Sequence, residues 1–395
     1  VSQEIGVRYS NDNIKIAKES DIVIIAVPIA TTSKIIKEIS TFMKKGSLLI
    51  DVTSVKLEPS ELMEKLVPEG VEVIPTHPVF GPRTNNLNGQ VIVLTPRKKG
   101  KWYPKVMNFL KNHKMRIIES TPEEHDEMMA VVQVLTHFSY ISTASAIKKL
   151  GINIKDTRNF ASPIYNLMVD MISRIVSQNP FLTYSIQLEN ENGEKVRQIF
   201  ADSVEELKTV LTDKDEEKFV EIAIEATKNM DDIQSALGRS DKAINSLNHE
   251  ITILKNSIGK EIAIRHIYSG EVHIGILEEL NPEFAILNTK KGQKKLKIAN
   301  MEILDSDELL QWKKDNIPIK THSISCVFPN SSNSNIIKNT VQLLDDVVNV
   351  KITDTYDGPQ IEDNKVSFTF EIDSFDDSVF TNVESLLKGF GGIIR

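Results

Sequence analysis

Three apolar runs near the start of the chain each stop at side chains able to do chemistry. Asp21 to Val27 (DIVIIAV) stops at Pro28. Ser47 to Val52 (SLLIDV) stops at Thr53-Ser54-Val55-Lys56, and Val71 to Ile74 leads into Thr76-His77-Pro78-Val79-Phe80-Gly81-Pro82. A short period-free apolar run bounded by turn residues reads as a buried strand. In open α/β sheets, ligands bind in the crevice beyond the carboxyl ends of the strands. The three strand ends therefore set Pro28, Ser54 and His77 along one cleft. The prolines and glycine around His77 fix its loop, so this histidine is placed rather than incidental.

Further runs at 90–95 and 115–119 alternate with amphipathic segments such as Ser33 to Met43 and Tyr103 to Asn112. Strands alternating with helices predict a Rossmann-like α/β domain over 1–119, a parallel sheet with helices on both faces. Thr121-Pro122-Glu123-Glu124 is a helix start, with Thr as cap and Pro at the first helical position. Residues 120–256 then show only helical periodicity, interrupted at Asn190–Gly193, and predict an all-α domain with more apolar helices than one small bundle core satisfies, as a shared helical interface in a dimer would explain. Residues 257–318 carry short β-rich pieces between Ser-Gly, Asn-Pro and Lys-Gly turns, which predict a small β-barrel-like domain. Residues 319–395 read β-α-β-β-α-β, a ferredoxin-like α+β order.

The net charge of −8 argues against a general nucleic-acid binder. A single cysteine, Cys326, excludes an internal disulfide framework and multi-cysteine metal sites. No apolar run approaches the ~18 residues of a membrane span, and the first residues lack the apolar core of a signal peptide. These features predict a cytoplasmic protein.

DIVIIAVP (21–28), DVTSVK (51–56), THPVFGP (76–82), HDEMMAVVQVLTHF (125–138) and SPIYNLMVDMISRIVSQNP (162–180) occur in one order. Together they resemble the prephenate dehydrogenase family over about residues 1–230. The resemblance implies a Rossmann-like domain followed by a helical dimerisation domain, and an NAD- or NADP-dependent oxidative decarboxylation of prephenate to 4-hydroxyphenylpyruvate. It implies that His77 is the catalytic histidine and that Ser54 hydrogen-bonds it and the substrate hydroxyl. It implies that Arg174 binds a substrate carboxylate and that His137 lies at the substrate end. Gln133, four residues before His137, shares its helical face and is a further substrate-side candidate. Val27, Pro28 and Thr53, at the ends of the first two strands, are the candidate cofactor contacts. One departure is the absence of a G-x-G-x-x-G turn before Asp21. By the size of a βαβ unit, roughly 40 residues are expected to be missing, with poor cofactor binding by this chain alone.

Several plainer readings compete. Ser54 is a turn residue by type. Arg174 follows Asp170 by four, the spacing of an intrahelical ion pair. His125 falls in the first helical turn and reads as exposed. At about 100° per residue His125 and His137 lie ~120° apart around one helix, so they are no metal pair. Arg83 and Arg158 are further candidate cations, and no histidines show metal-ligand spacing. The end of the chain, from Ile352 to Arg395, resembles ferredoxin-fold anticodon-binding domains. Residues 321–395 nevertheless hold five Lys/Arg against eleven Asp/Glu, which disfavours RNA. An ACT-like module with an amino-acid effector is the rival. Two other functions stay open: an arogenate or cyclohexadienyl dehydrogenase, and a non-catalytic dimeric sensor or scaffold.

Overall fold

The computed structural model describes residues 6–81, 84, 86–230, 232–281 and 283–395. Pro82 and Arg83, both drawn into the sequence reading, lie outside the described residues. The chain forms two compact units, Val1–Asn245 and Ser246–Arg395.

The first unit opens with helix α1 (Asn13–Glu19), capped by the Asp12 side chain. Strands β1 (Ile22–Ile25), β2 (Leu48–Asp51) and β3 (Glu72–Val73) then pair in parallel in the order β1-β2-β3. Helices α2 (Ile29–Ile39) and α3 (Leu57–Leu66) make the crossovers. Val23, Ile25, Ile36, Ile39, Leu49 and Met63 fill the core between sheet and helices.

The uniform parallel sheet expected for 1–119 is not what forms. A second three-stranded sheet joins β4 (Thr76–Pro78), β5 (Val91–Leu94) and β6 (Arg116–Glu119), with helix α4 (Tyr103–Asn112) between β5 and β6. Strands β4 and β5 run antiparallel, with His77 opposite Val93. Pro75 explains the break: it has no amide to continue a ladder, so β3 stops after two residues and the chain starts a new pairing. Thr76 Oγ1 donates to the Asp51 carbonyl at 2.7 Å, which anchors the new strand beside the end of β2. His77 is thus a strand residue, held more firmly than a loop would hold it.

From Pro122 the unit is helical: α5 (Pro122–Met129), a π-helical stretch (Ala130–Leu135), α6 (Thr136–Lys149), α7 (Ile154–Thr157), α8 (Pro163–Val176), α9 (Pro180–Glu189), α10 (Gly193–Thr212), α11 (Glu216–Lys228) and, as far as Asn245, α12 (Ile233–Asn256). The Thr121 side chain caps α5 through Glu124 N, as its T-P-E-E start predicts. By length and composition alone, the continuous helix Pro122–Lys149 is long and apolar enough to cross a membrane, contrary to expectation. The sequence scan missed it because polar residues such as Gln133 and His137 interrupt its apolar runs. A small cluster of Ile29, Val55, Val134 and Ile186 packs these helices against the starts of α2 and α3.

The second unit begins with an antiparallel sheet in the order β10-β9-β8-β7-β11. Its strands are β7 (Glu261–His266), β8 (Val272–Leu280), β9 (Phe284–Thr289), β10 (Gly292–Lys297) and β11 (Met301–Ile303). The two edge strands do not pair with each other among the described residues, so the sheet is open rather than a closed barrel. Helix α13 (Ser306–Asn316) follows, with a capping box between Asp305 and Glu308. The chain ends with β12 (Lys320–Pro329), α14 (Ser334–Val341), β13 (Val347–Tyr356), β14 (Lys365–Ser374), α15 (Val379–Gly389) and β15 (Ile393–Ile394), in sheet order β13-β14-β12-β15. Phe328, Val350, Phe370, Val341, Val383 and Leu387 build that core.

Candidate functional site

Strand β2 ends on a buried carboxylate. Asp51 is wholly inaccessible, and its Oδ2 accepts from Thr53 N at 3.0 Å and from the equally buried Lys56 ammonium. Lys56 stands at the start of α3, where no local side chain caps the helix. Asp126 of α5 does this from a distance: Oδ1 accepts from Lys56 N at 2.8 Å and Oδ2 from Leu57 N at 2.9 Å. A carboxylate at a helix N-terminus satisfies free amides and meets the positive end of the helix dipole.

Asp126 also begins a chain of hydrogen bonds that ends at His77. His125 Nδ1 lies 2.7 Å from Asp126 Oδ1, His125 Nε2 lies 2.8 Å from His77 Nδ1, and His77 Nε2 lies 3.3 Å from Gln133 Nε2. A carboxylate only accepts, so His125 donates from Nδ1. When His125 carries only that proton, it accepts at Nε2 and His77 donates from Nδ1. This leaves the lone pair of His77 on Nε2, facing the Gln133 amide. His77 is held well below the usual histidine pKa, first by burial and then by His125 and Lys56. It is therefore neutral at ordinary pH, and in this arrangement its basic Nε2 faces the Gln133 amide.

His125 is the main correction to the sequence reading. It is buried at 2% exposure and joins His77 to Asp126, not an exposed first-turn residue. His137 is also buried; its Nδ1 has no partner among the described residues, and burial lowers its pKa. The ~120° separation of the two histidines assumed a regular α-helix. The π-helical stretch between them takes more residues per turn and rotates His137 back toward the interior.

The remaining candidates divide. Gln133 reaches His77. Ser54 is half-buried in the loop after β2 and makes no hydrogen bond among the described residues. Arg174 is exposed in the last turn of α8. Asp170, its expected ion-pair partner, instead binds Arg158 at 2.5 Å. At the cofactor side, Pro28 starts α2, whose N-terminus has no side-chain cap. The hydroxyls of buried Thr53 and Thr32 lie 3.4 Å apart. An open helix N-terminus and a hydroxyl just past the end of β2 fit the polar head of a nucleotide cofactor. A cleft of about 380 Å³ opens between the starts of α2 and α3 and the end of α9, lined by Ile29, Val55, Leu57, Glu58, Asp126 and Glu191.

Residues 1–119 match the family described as prephenate dehydrogenase, nucleotide-binding domain, and residues 121–225 that described as prephenate dehydrogenase, dimerization domain. A Methanocaldococcus jannaschii protein named probable arogenate/prephenate dehydrogenase is 40% identical over 400 residues, 99% of this chain and 89% of that protein. The chain belongs to the prephenate dehydrogenase family. The T-protein of Haemophilus influenzae is 28% identical over 206 residues, 52% of this chain and 54% of the T-protein. The crystal structure of prephenate dehydrogenase from Aquifex aeolicus is similar at 22% identity over 57% of this chain and 83% of that one, with a TM-score of 0.45. In this member of the prephenate dehydrogenase family, the relay crosses the two matched regions. His77 and Lys56 come from the first, and His125, Asp126 and Gln133 from the second.

Proposed function

We propose that the protein is a prephenate dehydrogenase of tyrosine biosynthesis, using NAD or NADP, with arogenate as the alternative substrate. The observation that carries this reading is His77 at the end of a hydrogen-bonded relay from Asp126 through His125, with its Nε2 facing Gln133. When bound, the nicotinamide supplies the acceptor for the hydride on the ring carbon that bears the 4-hydroxyl. His77 takes the hydroxyl proton on Nε2. The bond from the ring to its carboxylate breaks, its electron pair completes the aromatic ring, carbon dioxide leaves, and His77 returns its proton to the ring oxygen, which ends as the hydroxyl of 4-hydroxyphenylpyruvate. The positive charge arriving on His77 is shared through Nδ1 with His125 and is offset by Asp126. Gln133 holds Nε2 until the substrate hydroxyl replaces it. Ser54 orients that hydroxyl, His137 offers Nδ1 to the substrate, and Val27, Pro28 and Thr53 line the nicotinamide side.

The test is the growth of reduced-nicotinamide absorbance in the native full-length protein, with prephenate and arogenate each paired with NAD and NADP. Turnover of prephenate supports the reading, faster turnover of arogenate selects the alternative, and no reduction in any of the four pairings overturns both.

Arg174 is the proposed grip on a substrate carboxylate. A lost charge-assisted bidentate contact costs about 1.5–3 kcal/mol, so Arg174→Ala is expected to raise KM about tenfold or more with kcat little changed. An unchanged KM rejects the role. Asp126→Asn can donate where the carboxylate only accepted, which disturbs the tautomers behind His77. It is expected to lower kcat by about ten- to a hundredfold and to shift the acid limb of the pH–rate profile. A loss of stability with an unaltered profile would make Asp126 a helix cap alone.

Exposed apolar side chains on α8 to α11, among them Ile164, Phe181, Tyr184 and Leu211, support a homodimer through the helical region. The β-α-β-β-α-β order of 319–395 and its sheet order support a ferredoxin-like reading of the last domain. The single buried cysteine supports a cytoplasmic setting.

A further inference from the structure

We infer that Gln187 of α9 is a positioning residue for the proposed reaction: it holds the π-helical turn that carries Gln133 to His77. The inference rests on the proposed reaction only where it concerns substrate. A π-helical turn is rare, and most occur singly inside α-helices, often at functional sites. Here Ala130–Leu135 adopts it between α5 and α6. Two side-chain donors reach its carbonyls. Thr136 Oγ1 donates to Val131 O at 3.2 Å, from within the same helix. Gln187 Nε2 donates to Val134 O at 2.9 Å, from α9. Val134 is wholly buried, so water cannot replace the amide there. The Gln187 Oε1 is itself buried with no partner among the described residues, so the N–H is what this amide contributes.

The end of α9 is itself fixed. Arg197 of α10 donates to the Gln187 carbonyl. Gly193 stands against the same carbonyl, where a Cβ would come within 2.6 Å. Ile186 belongs to the small cluster that includes Val134. Just past α9, Asn190 Nδ2 donates to the Asp126 carbonyl at 2.8 Å. The two amides thus grip the segment from Asp126 to Val134 at both of its ends. His125 and Gln133 stand beside those ends, and they are the side chains hydrogen-bonded to His77 among the described residues. Without the Gln187 donor, the buried Val134 carbonyl loses a partner and the turn is free to tighten to α. Tightening rotates Gln133 off His77 Nε2 and returns His125 and His137 toward the ~120° separation of a regular helix. Asp126 and His125 lie before the turn, so the relay behind His77 stays in place. The loss falls on the substrate side, because His137, which offers Nδ1 to the substrate in the proposed reaction, moves with the turn.

The test uses two variants of the native full-length protein. Gln187→Met keeps the length of the side chain and removes the donor; Gln187→Glu keeps the shape but presents a carboxylate, which only accepts. Histidine ring signals are followed by NMR without substrate. Those of His77 and His137 are assigned from His77→Asn and His137→Asn, and the exposed His113 is the control. In both variants the His77 and His137 signals should shift while His113 stays. In Gln187→Met, KM for the substrate that turns over should rise about three- to tenfold, the loss of about one hydrogen bond, with kcat changed by about twofold or less. Unmoved ring signals, with or without a lower melting temperature, overturn the inference. Moved signals with an unchanged KM overturn the link to substrate. A wild type that reduces no nicotinamide counts against the proposed reaction, and the ring signals alone then decide whether Gln187 holds Gln133 to His77.

Discussion

Replacing His77 by Asn is expected to lower kcat about 10²- to 10⁴-fold, the usual contribution of a placed general base. Asn fits the strand and can still donate toward His125, but it cannot take a proton. KM should move little, about twofold or less, because the loss falls on the transition state. The wild-type pH profile carries a second check. Burial, His125 and Lys56 all favour neutral His77, so its protonation falls below the ordinary histidine value of 6.5. Activity needs the neutral form, so kcat/KM should hold as pH falls through 6.5 and decline only at lower pH. Retained turnover in the Asn variant, or an acid limb above 6.5, would remove His77 from the chemistry.

The strand ends were legible because buried apolar runs and their stop residues are local features. Asp21–Val27 and Ser47–Val52 contain β1 and β2, and Thr76, next to His77, anchors on the last residue of β2. The Pro75 break was misread because an apolar run does not show where a ladder changes partner. His125 and Asp126 were in view as a quoted motif, yet their first-turn position suggested exposure. Their burial comes from α3, about 70 residues earlier in the chain, whose bare N-terminus needs the Asp126 carboxylate. A tertiary cap of this kind leaves no spacing in the sequence. What the sequence holds is a lysine, Lys56, rather than Ser, Thr, Asp or Asn at the cap position of α3, with Thr53 and Ser54 close by to obscure it. Helix α13 was missed too, although Asp305-x-x-Glu308 is a capping box written in the sequence. The π-helical turn had no local signature, and its wider turn changes the angle between His125 and His137.

Lys56→Met is expected to destabilise the first unit by about 3–5 kcal/mol, as removal of one partner from a buried ion pair does. Methionine matches the length of the lysine stem but leaves Asp51 charged and buried. Thr53 N would then be its remaining donor on Oδ2, and Oδ1 already has no partner. For a domain of this size the loss corresponds to a melting temperature lower by roughly 10 °C. The double variant Asp51→Asn/Lys56→Met should recover most of it, because a neutral pair avoids the uncompensated charge. A single-variant loss under about 1 kcal/mol, or no recovery in the double variant, would mean that Lys56 is not acting through Asp51. The backbone amides of Lys56 and Leu57 still cap onto Asp126 in the variant, so the relay to His77 survives in the molecules that stay folded. What changes there is the field. Lys56 is one of the charges that hold His77 neutral, so its removal should raise the pKa of His77 and move the acid limb of kcat/KM upward. A limb that stays in place while stability falls would confine Lys56 to the fold; a limb that moves ties the buried ion pair to the basicity of the catalytic nitrogen.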